Sequence, residues 1–165
     1  MKLTLKERLF LVNQFKILEA LYPGEAYIYE RHRTALECGY TLQYDWMTEW
    51  FSEELPEAKC REVWDILDMY RSLKFSYDSL ADKAEISKEQ VRFQGFDGNG
   101  ESQLMGYVNY IINDLGRYKE LSDNDLNAGK PRLELYRKML SRWAKCKDKS
   151  KLSKNDLLKI VSAES

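Results

Sequence analysis

The stretch from Val91 to Tyr118 constrains the fold most, because it joins a cluster of glycines to the most regular apolar pattern in the chain. Gly95, Gly98 and Gly100 lie close together at its start. Apolar residues then recur at about 3.6 residues per turn, the spacing of an α-helix. These residues are Leu104, Tyr107, Val108, Ile111, Ile112 and Leu115. The pattern predicts a helix from about Glu101 to Tyr118 at the centre of an all-α fold.

The glycine cluster does not fit either of the common phosphate-binding loops. Residues Gly95 to Ser102 have the spacing of a P-loop, but Glu101 occupies the position of the phosphate-binding lysine. Its negative charge would repel a nucleotide there. The dinucleotide fingerprint fails as well, because Gln103 stands where the third glycine belongs.

A calcium-loop interpretation also fails, because Ser102 replaces the turn glycine and Val108 replaces the bidentate glutamate. The Gly95–Gly100 loop is therefore interpreted as a turn whose glycines permit positive φ angles. In this interpretation Asp97 or Asn99 caps the helix that follows.

Length and composition indicate one globular domain over residues 1–165, with 44% hydrophobic and 32% charged residues. No apolar run approaches the roughly 18 residues of a membrane-spanning helix, and charged residues interrupt the first twenty positions, unlike a signal peptide. Cys38, Cys60 and Cys146 are odd in number and far apart, which is typical of reduced thiols. We expect a cytoplasmic protein that does not enter membranes.

Further helices follow from the same periodicity and from capping residues, so that six to eight helices are expected in all. They are expected at about Leu5–Leu21, from Pro23-Gly24 to Gly39, at Pro56–Tyr77, from Pro131 to about Lys145, and at Leu157–Val161. The sequence predicts capping boxes at Thr4 with Glu7, Ser87 with Gln90, and Ser153 with Asp156.

The first helix carries Phe10, Ile17 and Leu21 along one side, with Asn13 and Gln14 among them. This polar pair has two interpretations. The amides form hydrogen bonds in an interface, or they lie at the edge of the apolar stripe, which is the favoured interpretation.

Residues Thr41–Phe51 are dense in aromatics, and Trp46 and Trp50 are spaced to share one face of a helix. Such a surface can anchor a partner. Packing in the core is the favoured interpretation.

The titratable residues give no catalytic pattern. His32 is the single histidine, which removes most zinc motifs, and no metal or cofactor is predicted. Glu62, Asp65 and Asp68 recur every three residues, a spacing at which carboxylates can share a proton or a metal. Solvated pairs with neighbouring arginines explain them more simply.

Short blocks along nearly the whole chain carry a resemblance to a known family. They are Asn13-Gln14-Phe15-Lys16, Glu37-x-Gly39-Tyr40, Cys60-Arg61, Asp65-Ile66, Met69-Tyr70, Phe93-x-Gly95-Phe96-Asp97, Gly106-Tyr107-Val108, Gly116-Arg117-Tyr118 and Tyr136-x-x-Met139-Leu140-x-x-Trp143-x-x-Cys146. In this order they resemble the YfbU family of bacterial proteins. The resemblance implies a single multihelical cytosolic domain and brings no assigned activity or catalytic residues. The chain departs from the family pattern in residues 98–100.

The charge distribution and the aromatic content favour a non-enzymatic interaction or regulatory protein that forms a homo-oligomer, a dimer or higher. Residues 1–116 contain 13 Lys and Arg against 20 Asp and Glu, whereas residues 117–165 contain 13 against 7. These regions are complementary in charge, and aromatic residues are common anchors of interfaces. A protein partner of another kind would use the same features.

Two alternatives remain open. The basic region 130–154, with Arg137, Arg142 and Lys145, could bind nucleic acid, although the acidic balance of the whole chain argues against it.

The second alternative is an enzyme or a small-ligand binder. It would use scattered polar groups, with Asp97, Tyr107, Arg117 and Tyr118 as the candidate ligand-binding residues.

Overall fold

The computed structural model describes residues 1–122 and 125–164. Helices of all types account for 64% of it, and the only β pairing in the described residues is an isolated parallel bridge between Phe96 and Asn127. The all-α prediction is therefore confirmed. The α-helices are α1 (Leu5–Leu21), α2 (Ala26–Cys38), α3 (Glu57–Asp78), α4 (Ser102–Asn109), α5 (Leu133–Trp143) and α6 (Lys154–Val161). None of the helices in the described part of the chain has the length and apolarity needed to cross a membrane.

Short helical turns of other types connect the α-helices. The 3-10 segments are Pro23–Glu25, Thr41–Met47, Lys88–Val91, Lys119–Leu121 and Ser162–Glu164, and residues Tyr110–Asp114 form a π-helical turn directly after α4.

The helix boundaries follow the capping residues of the sequence. All three predicted capping boxes are present, at Thr4 with Glu7, Ser87 with Gln90, and Ser153 with Asp156. Helix α2 ends at Gly39, whose φ of 75° is the left-handed conformation that glycine adopts without steric cost. These signals are local, which is why the sequence predicted them.

The chain divides into two compact units, Met1–Glu54 and Leu55–Ser165. The organisation of residues 1–165 as one domain stays a prediction. In the first unit α1 and α2 pack as a helical hairpin around buried Val12, Leu36 and Tyr44.

The second unit is built on α3, which packs against α4, α5 and α6. Its core contains a cluster of four aromatic rings, Tyr70, Phe93, Phe96 and Tyr136, with centroids 5.2–6.0 Å apart in the contacting pairs. The buried hydroxyl of Tyr136 donates a 2.8 Å hydrogen bond to the carbonyl of Gly95. This bond satisfies a polar group that would otherwise be costly to bury.

The helix predicted from Glu101 to Tyr118 is shorter than expected. Its inward residues Val108, Ile111 and Ile112 are buried as predicted, but helical structure stops after the π-helical turn and Leu115 is 45% exposed. Left-handed backbone at Gly116 and Tyr118, with φ of 66° and 54°, ends the helix. Apolar periodicity alone could not show this stop, because Leu115 continues the pattern.

The backbone of the glycine-rich loop packs closely against the backbone at Leu126. Gly95 has a φ of 85°, and a Cβ atom there would lie 1.7 Å from the carbonyl oxygen of Leu126. The amide of Phe96 donates to that same oxygen at 3.0 Å. Gly95 is therefore required by both conformation and space.

The expected cap of α4 is wrong. The N-cap residue is Glu101, and its side chain makes no capping bond to α4. Asp97 instead closes the preceding turn, because its carboxylate accepts a 2.8 Å hydrogen bond from the amide of Gly100. Asn99 is exposed.

Candidate interaction surface

Helix α1 presents an apolar stripe to solvent, formed by Phe10, Ile17 and Leu21 and hereafter called the α1 stripe. These side chains are 67%, 52% and 64% exposed. Their spacing places them on one side of the helix. The sequence predicted the stripe correctly, and the structure shows that it does not serve the packing of α1 within the first unit.

The opposite side of α1 makes the contacts with α2. Val12 is buried there, and Phe15 is half-buried with its ring centroid 5.5 Å from that of His32. Arg8 donates through Nε to the carbonyl of Leu36 at 2.7 Å, at the last turn of α2. Because this side already satisfies the hairpin, the α1 stripe has no role in holding the first unit together.

Asn13 and Gln14 are both exposed, between Phe10 and Ile17 along the helix. They flank the α1 stripe, so the edge interpretation describes them correctly within one molecule. Their amides are available to a second molecule at the middle of the stripe.

A second group of exposed apolar side chains lies in Thr41–Phe51. The interpretation of these aromatics as core residues is wrong for the tryptophans, because Trp46 is 54% and Trp50 is 82% exposed. Tyr44 is the aromatic side chain of this segment that turns inward. The 3-10 segment ends at Met47, so the two tryptophans do not share one helical face.

His32 lies on α2, half-buried against Phe15. Burial lowers the pKa of its imidazole, and the carboxylate of Glu49 partly opposes this effect. The position is that of a packed side chain at the edge of the hairpin.

The four candidate ligand residues fall into two places in the second unit. Tyr107, Arg117 and Tyr118 surround Trp64, whose indole N–H donates to the Tyr107 hydroxyl at 2.9 Å. The Arg117 guanidinium lies 5.9 Å from the Trp64 ring centroid, and the Tyr118 ring packs edge-on at 5.5 Å. Asp97 instead belongs to the glycine-rich loop, where it is bonded to Gly100.

Tyr118 is held by its own partners rather than turned toward a ligand. Its hydroxyl donates to the carboxylate of Asp68 at 2.6 Å, and the Arg71 guanidinium stacks over its ring at 4.0 Å. Burial and then the Asp68 hydrogen bond raise the pKa of Tyr118 above its usual range. Of the four residues, Arg117 is the one whose charged group is exposed.

The carboxylates Glu62, Asp65 and Asp68 have separate environments. Glu62 accepts from Arg137 and from Lys59, and the Arg137 hydrogen bond is the main cause that lowers the pKa of Glu62. Asp68 accepts from Tyr118, and Asp65 is exposed. This arrangement agrees with ion pairs and structural hydrogen bonds rather than with a shared proton.

Two of the three basic residues considered for nucleic acid are engaged within the protein. Arg137 makes a two-bond ion pair with Glu62, at 2.6 and 3.0 Å. Arg142 donates to the carbonyl of Lys159 at 2.7 Å, near the end of α6. Lys145 is exposed.

Glu101 has a structural role that the sequence pattern does not indicate. Its carboxylate accepts hydrogen bonds from the backbone N–H groups of Arg132 and Leu133, at 3.0 and 2.8 Å, and so caps α5. It also accepts from the amide of Asp97 at 3.1 Å. The residue in the position of a P-loop lysine is therefore a helix cap, contributed from thirty residues away in sequence.

The fold and its surface define an all-α protein with an exposed apolar helix face in its first unit. The YfbU domain model matches residues 1–163. The chain belongs to the YfbU family, which confirms the resemblance found in its sequence blocks.

Proposed function

We propose that this protein is a non-enzymatic interaction protein that self-associates, and that the α1 stripe is its contact surface. The observation that carries the proposal is the exposure of Phe10, Ile17 and Leu21 on one side of a helix whose other side is already packed. Exposed apolar side chains grouped on one helix face, with polar residues beside them, are typical of protein interfaces.

Fully burying an exposed large apolar side chain contributes about 1.5–3 kcal/mol. Each of the six stripe side chains in a pair contributes part of this, because it is 52–67% exposed in one chain. This gain is offset by roughly 4–15 kcal/mol for the lost freedom of the two partners. The α1 stripe can therefore stabilise a dimer when further exposed side chains of the first unit add to the contact.

The cytoplasmic location, the nucleic-acid alternative and the ligand alternative stay predictions. The engagement of Arg137 and Arg142 inside the protein makes phosphate binding the weaker of the two binding alternatives. Arg117 beside Trp64 is the feature that supports a ligand-binding alternative.

Light scattering on size-exclusion fractions tests self-association. We expect a mass of twice 19.5 kDa for the wild-type chain at micromolar concentration. The Ile17→Glu substitution should reduce the mass to that of one chain, because a charge would be buried in the contact. A mass of 19.5 kDa that stays constant as the wild-type sample is concentrated would overturn the proposal.

Phe75→Glu is the matched control. Phe75 is 51% exposed and Ile17 is 52% exposed, but Phe75 lies on α3 in the second unit. If the α1 stripe is the contact surface, Phe75→Glu keeps the dimer while Ile17→Glu loses it. Circular dichroism on both variants establishes that each is folded.

A further inference from the structure

We infer that two copies of this chain pair through the α1 stripe with their α1 helices antiparallel, around a two-fold axis between Asn13 and Gln14. The inference rests on the proposed self-association and adds the partner and its register. The occupant of the surface is a second copy of the same chain.

The spacing along α1 has the symmetry that such a contact requires. Phe10 and Ile17 lie at equal distances on either side of the midpoint between Asn13 and Gln14. In a two-fold contact, residue i faces residue j and residue j faces residue i. Phe10 then packs against Ile17 of the partner subunit, and the reciprocal pair forms on the other side of the axis.

The same register continues toward the ends of the helix. Lys6 falls beside Leu21 of the partner subunit. Leu21 is 64% exposed in the single chain. The pairing therefore covers the α1 stripe from Phe10 to Leu21.

The charges at the two ends of the contact favour the antiparallel direction. Lys2 and Lys6 are exposed at the N-terminal end of α1, and Glu25 is exposed just beyond its C-terminal end. Glu25 accepts a 2.6 Å hydrogen bond from the Tyr29 hydroxyl, which holds the Glu25 side chain near this end. An antiparallel pair sets lysines near glutamate, whereas a parallel pair sets lysines against lysines, which is destabilising.

The polar pair at the centre gives the contact its register. Asn13 faces Gln14 of the partner subunit at the axis, where each amide can donate and accept a hydrogen bond. A shift by one helical turn would place both amides against apolar side chains without partners. Single polar residues within an apolar helix seam are known to select register in this way.

Disulfide crosslinking between introduced cysteines tests the register. Lys6→Cys and Leu21→Cys are made separately in a chain whose Cys38, Cys60 and Cys146 are replaced by serine. In the antiparallel pair two copies of the same introduced cysteine lie about 22 Å apart along the helix axis. A disulfide needs Cα atoms within about 7 Å, so neither variant alone should crosslink.

A mixture of the two variants should crosslink under oxidation, because Lys6→Cys in one chain faces Leu21→Cys in the other. The expected result is a covalent band at twice 19.5 kDa in the mixture and not in either variant alone. The wild-type chain, which keeps its own three cysteines, shows any crosslinking that those cysteines produce.

The outcomes separate the inference from the proposed function. Crosslinking of each variant with itself would show parallel helices and overturn the inference while leaving self-association intact. A dimer by light scattering with no crosslinking in any sample would place the contact elsewhere and also overturn it. A single-chain mass by light scattering would overturn both.

Discussion

The carboxylate of Glu101 accepts a hydrogen bond from the backbone N–H of Leu133 at 2.8 Å, and this bond holds the first turn of α5 against the glycine-rich loop. The two residues are far apart in sequence, so the contact fixes tertiary structure as well as a helix end. The first N–H groups of a helix have no partners within the helix, which is why a carboxylate from another segment is stabilising here.

Replacing Glu101 by alanine should lower the free energy of unfolding by about 1–3 kcal/mol, because partly buried N–H groups at the start of α5 lose their acceptor. Urea titration followed by circular dichroism measures the loss. The control is Glu89→Ala, which removes an exposed carboxylate paired with Arg92 at 3.2 Å. Equal effects of the two substitutions would contradict the capping role, because exposed pairs contribute about 1 kcal/mol or less.

Gly95→Ala should destabilise the second unit strongly, by more than about 3 kcal/mol. The added Cβ would meet the Leu126 carbonyl at 1.7 Å, and the positive φ of 85° would strain any other residue. Gly24→Ala is the matched control, because no atom lies within 4 Å of its added Cβ. We expect thermal unfolding of the Gly24 variant to remain close to that of the wild type. A Gly95 variant that unfolds at the wild-type temperature would contradict the requirement for glycine at this position.

The free energy of unfolding should fall at alkaline pH because Tyr136 is buried with its hydroxyl protonated. Burial raises the pKa of its hydroxyl above the ordinary value of 10.0. The unfolded chain therefore loses this proton first as the pH rises, so the stabilising contribution is complete below about pH 10 and decreases above it. One such proton corresponds to about 1.4 kcal/mol per pH unit.

In Tyr136→Phe this dependence should be shallower above about pH 10, although the variant loses the bond to Gly95 and starts from a lower stability. Urea titrations at a series of alkaline pH values compare the slopes. The control is Tyr27→Phe, which alters an exposed tyrosine of the first unit. Parallel slopes for wild type and Tyr136→Phe would remove Tyr136 as the cause.

Nucleic acid should not bind measurably at about 50 mM salt, where a phosphate-binding protein would still bind well. The reason is that Arg137 is neutralised by Glu62 and that Arg142 is bonded to the end of α6. Binding is measured by the fluorescence anisotropy of labelled duplex DNA and RNA. Binding that weakens steeply with salt and is lost when Arg137, Arg142 and Lys145 are changed to glutamate would contradict this expectation.

The sequence predicted those parts of the fold that depend on neighbouring residues. The capping box of Thr4 with Glu7 and the left-handed end of α2 at Gly39 are formed within one or two helical turns. The apolar periodicity that buries Val108 and Ile111 is equally local. For these features the residues that set the structure are adjacent in the chain.

Features that depend on distant segments could not be predicted in the same way. Periodicity located the α1 stripe but could not show whether it faces the core or the solvent. That depends on α2, which covers the opposite side of α1, the side that bears Val12. The pairing of Glu101 with α5 needs the two segments to meet first. Among the candidate ligand residues, Tyr118 was predicted to lie on a helix. Its backbone is left-handed instead and lies beyond the end of that helix, and its hydroxyl donates to Asp68.

The four-ring cluster of Tyr70, Phe93, Phe96 and Tyr136 has a spectroscopic consequence. Aromatic rings held rigidly in asymmetric surroundings give circular dichroism in the near ultraviolet, and this signal disappears when tertiary packing loosens while helices persist. The four rings of this cluster are buried, and Tyr136, which packs edge-on against Tyr70 and Phe96, is only 1% exposed. The part of the near-ultraviolet signal that comes from this cluster therefore reports the packing of the second unit's interior, separately from the helix content to which α1 and α2 contribute.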